Sequence, residues 1–185
     1  MFSDNLDNTW TCYNYTESEA PNSQVESNPQ KCFKAFCVSL NKTDAQTQCK
    51  QEGGTLAQIY TEVDNTAALQ AINTANCGGN YYFGAEEKDC KTNCYSYPNG
   101  CSADGCPGSF IDWSPGEPDN TGTGFIPDKT PCLTFNYPTY KVYDEICSYP
   151  SNYVCQITVN ITRECDAFQC NCITPNCPVN LMKSI

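Results

Sequence analysis

Cysteine is the residue that most constrains how this chain can fold, because 16 of its 185 residues are cysteine. That share is close to the range of about 8–10% that is typical of disulfide scaffolds. The even number in a polar chain indicates an oxidising compartment, since the cytosol keeps thiols reduced. Zinc binding is the alternative, but the chain has no histidine and several of its cysteines are isolated. We therefore predict a secreted or extracellular, disulfide-rich protein.

The beginning of the chain lacks the features of a signal peptide. Residues 1–23 contain no apolar run of the roughly 7–15 residues that a signal peptide needs. No stretch of the chain approaches the roughly 20 apolar residues of a membrane span. We therefore expect a mature chain or an excised domain that has no membrane span. Three Asn-x-Thr sequons predict a glycosylated surface, with acceptors at Asn14, Asn41 and Asn160.

The formal net charge of −11 limits the partners of the chain. Nucleic acids and anionic membranes would be repelled by it. The charge is compatible with cation binding, and equally with what solubility alone favours. Without histidine there is no ordinary Ser-His or Cys-His nucleophile. Glu117 and Asp144 could form a carboxylate pair for glycoside hydrolysis, but no motif supports this, and we expect no enzyme activity.

The composition divides the chain into three segments. Residues 1–30 are polar, residues 31–157 carry strand and helix patterns, and residues 158–185 form a cysteine-rich tail with few apolar residues. Inside the central segment, residues 90–106 hold four cysteines among turn residues and almost nothing to bury. We expect this insert to be internally cross-linked, because it can hold a shape in no other way.

The central segment begins with a strand pattern followed by two helix patterns. Residues 31–40 alternate apolar and polar residues, which predicts a strand with Phe36 and Val38 on one face. The stretch TDAQTQCKQEGG predicts a helix that Thr43 caps, that a Gly-Gly pair stops, and whose buried face includes Ala45 and Cys49. Thr61 is predicted to cap the second helix. The remaining residues predicted to be buried are Leu56, Ala57 and Ile59 before that helix, and Ala68, Leu69 and Ile72 within it.

Six separated motifs follow one another in the order found in one protein family. They are CFKAF, AQTQCKQEGGTLAQIYTEVDN, YYFGA, WSPGEPDN, VYDEIC and YVCQI. Together they resemble the long form of the C-type lectin-like domain, over about Trp10 to Ile157. The resemblance implies an α+β, disulfide-rich fold, with two helices flanking small antiparallel sheets and a long loop region on top. The four-cysteine insert and the tail lie outside the family pattern.

The resemblance also implies three disulfides. The Cys49–Cys155 disulfide would close a loop of about a hundred residues, which is worth roughly 4–5 kcal/mol in the chain-entropy model. The other ten of the sixteen cysteines have partners that the sequence leaves open. The implied pairs are Cys49–Cys155, Cys132–Cys147 and Cys12–Cys32.

A calcium site is the main functional implication of the resemblance. Sugar-binding members of the family hold calcium with a Glu-Pro-Asn loop, a later Glu and an Asn-Asp pair on a strand, and the proline of the loop is cis. Sugar hydroxyls complete the coordination of the ion. Carried over to this chain, the metal and carbohydrate ligands are Glu117, Asp119 and Asp144. We therefore name calcium as the expected cofactor.

The chain departs from the family pattern at two ligand positions. The later Glu falls at Thr130, and the strand Asn falls at Tyr143, which offers no comparable ligand. Asp128 or Asn120 is the candidate to supply the missing oxygen. The sugar preference is also open, since Glu-Pro-Asn accompanies mannose-type ligands, Gln-Pro-Asp accompanies galactose-type ligands, and the Glu-Pro-Asp of this chain is neither.

Two functions follow as hypotheses. The first is an extracellular module that binds a carbohydrate or glycoprotein in a calcium-dependent way. The alternative is a sugar-independent protein-interaction or extracellular-matrix module with a degenerate calcium site, whose partner is an extracellular protein. Several tyrosines near the loops could stack on a sugar or anchor such a partner, although we favour a core role for most of them, as for Trp113. These are Tyr95, Tyr97, Tyr137, Tyr140 and Tyr143.

Overall fold

The computed structural model describes residues 10–14, 27–87, 95–98, 110–119, 131–162, 164–166 and 169–171. Helix α1 spans Lys42–Gln51 and helix α2 spans Glu62–Ala75. In the described ranges, neither helix is long and apolar enough to span a bilayer. The strands are β1 Thr11–Asn14, β2 Ser27–Leu40, β3 Thr55–Leu56, β4 Tyr81–Glu87, β5 Tyr95–Ser96, β6 Pro131–Asn136, β7 Lys141–Ile146, β8 Ser151–Thr162, β9 Glu164–Asp166 and β10 Gln169–Asn171.

The strands form one large sheet and one small one. The large sheet has eight strands in the order β1-β2-β8-β4-β6-β7, with β3 paired to β8 and β5 paired to β4. Strands β9 and β10 form a separate antiparallel pair. The predicted α+β class is confirmed. The expected small antiparallel sheets are replaced by a mixed sheet, because β4 and β8 run parallel.

Strands β2 and β8 form the longest pairing in the sheet. Their register runs from Ser27 opposite Thr162 to Leu40 opposite Ser151. Both strands therefore cross the expected segment boundaries at residues 30 and 157. The predicted common face of β2 is interrupted, because the register shifts after Phe36 and leaves Val38 53% exposed.

The cap predicted for α1 is wrong by two residues. Asn41 is the N-cap, with extended backbone angles and a side-chain oxygen that accepts a hydrogen bond from the Asp44 amide at 3.0 Å. Thr43 is already inside the helix. The predicted buried face is confirmed, since Ala45 and Cys49 are fully buried. The helix ends before the Gly-Gly pair as predicted.

The predicted start of α2 is confirmed and is stronger than the sequence indicated. Thr61 accepts a hydrogen bond from the Asp64 amide at 3.1 Å, and the Asp64 carboxylate accepts one from the Thr61 amide at 3.0 Å. This reciprocal arrangement is a capping box. Ala68 and Ile72 are fully buried, whereas Leu69 is only partly buried.

The core lies in two clusters. The larger is packed between α2 and the sheet, and the smaller lies against α1 and β8. Aromatic rings fill much of the larger cluster, including Phe83 and Phe135, whose centroids are 4.8 Å apart. The three residues predicted to be buried before α2 are confirmed, with exposures of 0–1%. They are Leu56, Ala57 and Ile59.

Disulfides cross-link the fold at several places, and the Cys49–Cys155 bond joins helix α1 to strand β8. Among the described residues, the structure contains the three pairs that the resemblance implies, and one more that the sequence left open. This additional bond joins the exposed Cys37 of β2 to the exposed Cys77 beyond α2. The cysteines of the predicted insert lie outside the described residues. The three expected bonds are Cys12–Cys32, Cys49–Cys155 and Cys132–Cys147.

Candidate metal centre

The site is built where residues 110–119 run beside β7. The Val142 amide donates to the Asp112 carbonyl at 2.9 Å, and the Ser114 amide donates to the Val142 carbonyl at 3.0 Å. Trp113 thus forms a parallel bridge with Val142. These bonds fix the base of the loop against the strand that carries Asp144.

A tight turn then brings Glu117 back over β7. Its amide donates to the Ser114 carbonyl at 3.0 Å, which closes the four-residue turn Ser-Pro-Gly-Glu. Proline at the second position and glycine at the third are typical of a type II turn. Gly116 has a φ of 92°, which is strained for any residue with a side chain. The Glu117–Pro118 peptide bond is cis, as in the resembling family.

Three carboxylates meet at this point. Glu117, Asp119 and Asp144 each offer an oxygen, and these oxygens lie within 4.8 Å of one another. Calcium binds oxygens at 2.3–2.6 Å, so two ligands of one ion are separated by at most about 5.2 Å. The spacing is thus close to what three ligands of one calcium ion require, and the group could hold a metal ion. The structure brings together the three ligands that the motifs indicated.

Of the two positions that depart from the family pattern, the structure describes Tyr143 but not Thr130. Tyr143 and Asp144 are neighbours on β7, so their side chains project from opposite faces of the strand. Tyr143 therefore points away from the carboxylates, as expected if the site is functional. Thr130 and the two candidate replacements, Asp128 and Asn120, lie outside the described residues.

Asp144 is the best-buried member of the group, with 6% exposure. Its Oδ1 accepts a hydrogen bond from the Asp119 amide at 3.1 Å. Its Oδ2 is buried and has no hydrogen-bond donor within the part of the chain that the structure describes. A buried oxygen without a hydrogen-bond donor lowers stability by about 1–3 kcal/mol, and a charged one lowers it by more. A cation at this position would remove that cost.

Glu117 shows the same shortage of positive charge. Partial burial, hydrogen bonding to Asp144 and repulsion from Asp119 and Asp144 raise the pKa of Glu117 from 4.5 to about 7, against a smaller lowering by the Asp119 amide. In the absence of a cation, the glutamate is therefore only partly ionised near neutral pH. A proton and a metal ion are alternative ways of relieving the same repulsion.

The structure separates the candidate tyrosines into two groups. Tyr95 and Tyr97 are buried, and the Tyr97 hydroxyl donates to the Ile59 carbonyl at 3.0 Å, so both belong to the core. Trp113 is half-buried against the same core. Tyr137 is 51% exposed and is the residue of this set that a ligand could reach most easily.

The two sequons whose acceptor side chains are described differ in structure. Asn14 is exposed at the end of β1, and its Oδ1 accepts from Gln30 Nε2 at 3.0 Å. Asn41 is half-buried, and both ends of its amide group bond to Asp44 at the start of α1. Glycosylation at these positions and at Asn160 stays a prediction.

The mixed sheet, the two helices and the disulfides together define a disulfide-rich α+β domain. Residues 38–157 match the family model of the Lectin C-type domain, and the chain belongs to that family. It is 27% identical over 127 residues to pulmonary surfactant-associated protein D of Sus scrofa. That alignment covers 69% of this chain but only 31% of the relative, so the chain spans about a third of that protein.

Solved structures share the fold. The carbohydrate-recognition domain of mouse scavenger receptor C-type lectin superposes with a TM-score of 0.55 and 21% identity, over 69% of this chain and 89% of that one. Human lithostathine gives a TM-score of 0.57 and 18% identity, over 70% and 92% of the two chains. At these identities the likeness establishes the fold.

Proposed function

We propose that this chain is an extracellular module that binds neutral carbohydrate through a calcium ion held by Glu117, Asp119 and Asp144. The observation that carries the proposal is the convergence of three carboxylates, one of which, Asp144, has a buried Oδ2 without a donor among the described residues. The disulfides support an oxidising location. A binding role without catalysis is proposed because the chain has no histidine.

Calcium would supply two things at this site. It neutralises the carboxylates, and it offers coordination positions that hydroxyl oxygens of a sugar can occupy. The carboxylates also accept hydrogen bonds from those hydroxyls, and charge-assisted bonds of this kind give selectivity. Asp128 is proposed as a further ligand. Because the known ligand set is small, we expect a calcium dissociation constant near the 10⁻⁴–10⁻³ M of extracellular modules.

Thermal unfolding with calcium and with a chelator tests the metal site. At a calcium concentration of 100 times the dissociation constant, the wild-type domain should gain about 2.7 kcal/mol. For a domain of this size, that corresponds to roughly 5–10 °C in melting temperature. Asp144→Asn should abolish the gain. The matched control is Glu62→Gln, which removes an exposed carboxylate in the first turn of α2 and should keep the gain.

Calorimetry with methyl α-mannoside and methyl β-galactoside, each with and without calcium, tests the sugar. We expect binding only with calcium. Asp119→Asn restores the amide of the family motif and should sharpen the preference for mannose. A folded domain that binds neither calcium nor sugar at millimolar calcium would overturn the proposal.

The second candidate is a sugar-independent interaction module with a degenerate calcium site. Tyr143 favours it, because this side chain stands where the family pattern has an Asn ligand and offers no comparable oxygen. Calcium-independent stability together with intact folding would support this alternative.

A further inference from the structure

The Cys37–Cys77 disulfide differs from the other three described disulfides in its exposure. Both of its cysteines are exposed, whereas each of the other three bonds has at least one cysteine that is fully buried. A buried cysteine resists opening of its bond, because it would have to leave as a thiolate in apolar surroundings. Exposed disulfides are accordingly the labile ones in proteins. The fully buried cysteines of the other bonds are Cys32, Cys49, Cys132 and Cys155.

The segments around this bond carry no charge of their own. Residues 36–40 and 73–80 contain no charged side chain, although the whole chain has a net charge of −11. The acidic residues of α2 lie in its first turn, at the end of the helix opposite to Cys77. A thiolate that attacks a disulfide is an anion, so these neutral segments do not repel it. The bond is thus accessible in charge as well as in exposure.

On β2, the fold beside the bond is held by other contacts. The pairing of β2 with β8 shifts register between Phe36 and Leu40, so Cys37 has no partner residue in that ladder. Before the shift, the Phe36 ring stacks on Tyr153, with centroids 5.0 Å apart. After it, Leu40 is paired with Ser151. The strand is therefore fixed on both sides of Cys37 without help from the disulfide.

The segment that carries Cys77 is anchored in the same way. Before it, Ala71 and Ile72 of α2 are buried in the larger core cluster, with exposures of 2% and 0%. After it, the Gly78 carbonyl accepts a hydrogen bond from Asn152 Nδ2 of β8 at 2.8 Å. Opening the disulfide would therefore release two thiols locally and leave the surrounding fold in place.

We propose that Cys37–Cys77 is a reversible thiol-exchange site, which an external dithiol opens while the other three described disulfides stay closed. One thiolate of the dithiol attacks one sulfur of the bond, the sulfur–sulfur bond breaks, and the other cysteine leaves as a thiolate that takes up a proton. The second thiolate of the dithiol then displaces the attacked cysteine from the mixed disulfide. The dithiol loses two electrons and becomes a disulfide, and both cysteines are reduced to thiols. The site shares no residue with the metal centre, so its test is independent of the proposed function.

Graded reduction of the native chain with dithiothreitol, followed by alkylation with iodoacetamide and peptide mapping, tests the site. Among the eight cysteines of the four described disulfides, Cys37 and Cys77 should be alkylated first, about tenfold faster than the other six. The partly reduced protein should keep its far-ultraviolet circular dichroism and unfold in one cooperative transition. Its melting temperature should fall by roughly 10 °C, because the bond no longer links residues 40 positions apart.

The Cys12–Cys32 bond is the matched control in the same sample, because Cys12 is exposed like Cys37 but its partner is fully buried. It should open with the slow group. A chain with both Cys37→Ser and Cys77→Ser should show the lower melting temperature and the native circular dichroism without any reductant. Opening of Cys37–Cys77 no faster than the control bond, or only together with Cys49–Cys155, overturns the proposal. A loss of native circular dichroism on selective opening overturns it as well.

Discussion

Two buried aspartates in this domain have opposite surroundings. Asp64 is 2% exposed, and its carboxylate accepts five hydrogen bonds, all from groups of the chain itself. Asp144 is 6% exposed, with one oxygen bonded to an amide and the other without a donor among the described residues. Its neighbours, Glu117 and Asp119, are carboxylates themselves.

The difference separates a residue that holds the fold together from one that we propose to be a ligand of the metal centre. The Asp64 carboxylate joins β1, β2 and α2, through the Tyr13 hydroxyl, Lys31 Nζ at 2.6 Å and the capping box of Thr61. Burial lowers the pKa of Lys31, and attraction to Asp64 opposes this lowering. Both carboxylate oxygens of Asp64 accept hydrogen bonds, whereas Asp144 Oδ2 has no donor among the residues that the structure describes. A buried acid surrounded by acceptors is thus the better guide to a binding site.

The largest expected effect is a loss of unfolding free energy when Asp64, the first of the two aspartates, is replaced. Asp64→Ala leaves the Lys31 ammonium buried without its ion-pair partner and removes the carboxylate half of the capping box of α2. Breaking a buried ion pair in this way typically costs about 3–5 kcal/mol. Urea unfolding should show a loss of that size, and the loss should be the same with calcium and with chelator.

Glu62→Ala is the control for this loss, because it removes an exposed carboxylate from the same helix turn. Its effect should stay within about 1 kcal/mol, the size of a helix-dipole interaction. If Asp64→Ala cost no more than this control, the contrast between the two aspartates would be false.

In each region, the sequence predicts the features that come from residues close together in the chain. It does not predict the contacts between residues that lie far apart in the chain. Thr61 as a cap and Glu117 with Asp119 in one loop follow from contiguous motifs. The contacts of Asp64 with Tyr13 and Lys31 join residues 51 and 33 positions apart, and no local pattern reports such a pairing.

The choice of cap at α1 shows a second limit of sequence reading. Asn41 and Thr43 are both suitable cap residues at nearly the same place, so propensity alone does not choose between them. Tertiary structure decides in favour of Asn41, because the Lys42 amide bonds to the Cys147 carbonyl at 3.0 Å and fixes where the helix begins. The sequence does not predict the Cys37–Cys77 bond either, because this bond depends on how β2 and α2 are placed relative to each other.

A smaller effect is expected in the second region, the carboxylates around Asp144, where stability and calcium affinity should depend on pH. The pKa of Glu117 is raised in the folded state to about 7, from 4.5. The folded calcium-free domain therefore binds more protons than the unfolded chain between these values, and its stability should fall as pH rises through this window. Calcium competes with that proton, so its affinity should weaken by up to about tenfold per pH unit below 7.

Calcium titrations by calorimetry at pH 7.5, 6.5 and 5.5 measure this competition. With chelator, the wild-type unfolding free energy should rise as pH falls from 7.5 to 5.5, because the folded state holds the proton of Glu117 more tightly than the unfolded chain does. A calcium affinity that is constant from pH 7.5 to 5.5 would show that Glu117 does not contact the ion.

The smallest effect is expected from Thr61→Ala, which separates the contribution of the helix cap from that of the Lys31–Asp64 ion pair. Thr61→Ala removes the hydroxyl that bonds the Asp64 amide but leaves the ion pair with Lys31 intact. Loss of an N-cap costs about 0.5–2 kcal/mol, typically near 1, which is well below the loss expected for Asp64→Ala. Asn41→Ala should cost a similar amount at α1, and Thr43→Ala should cost much less, since Thr43 does not cap. Equal losses at Asn41 and Thr43 in urea unfolding would contradict the observed helix start. A loss at Thr61 as large as that at Asp64 would instead assign the whole stability of this region to the cap and none of it to the buried ion pair.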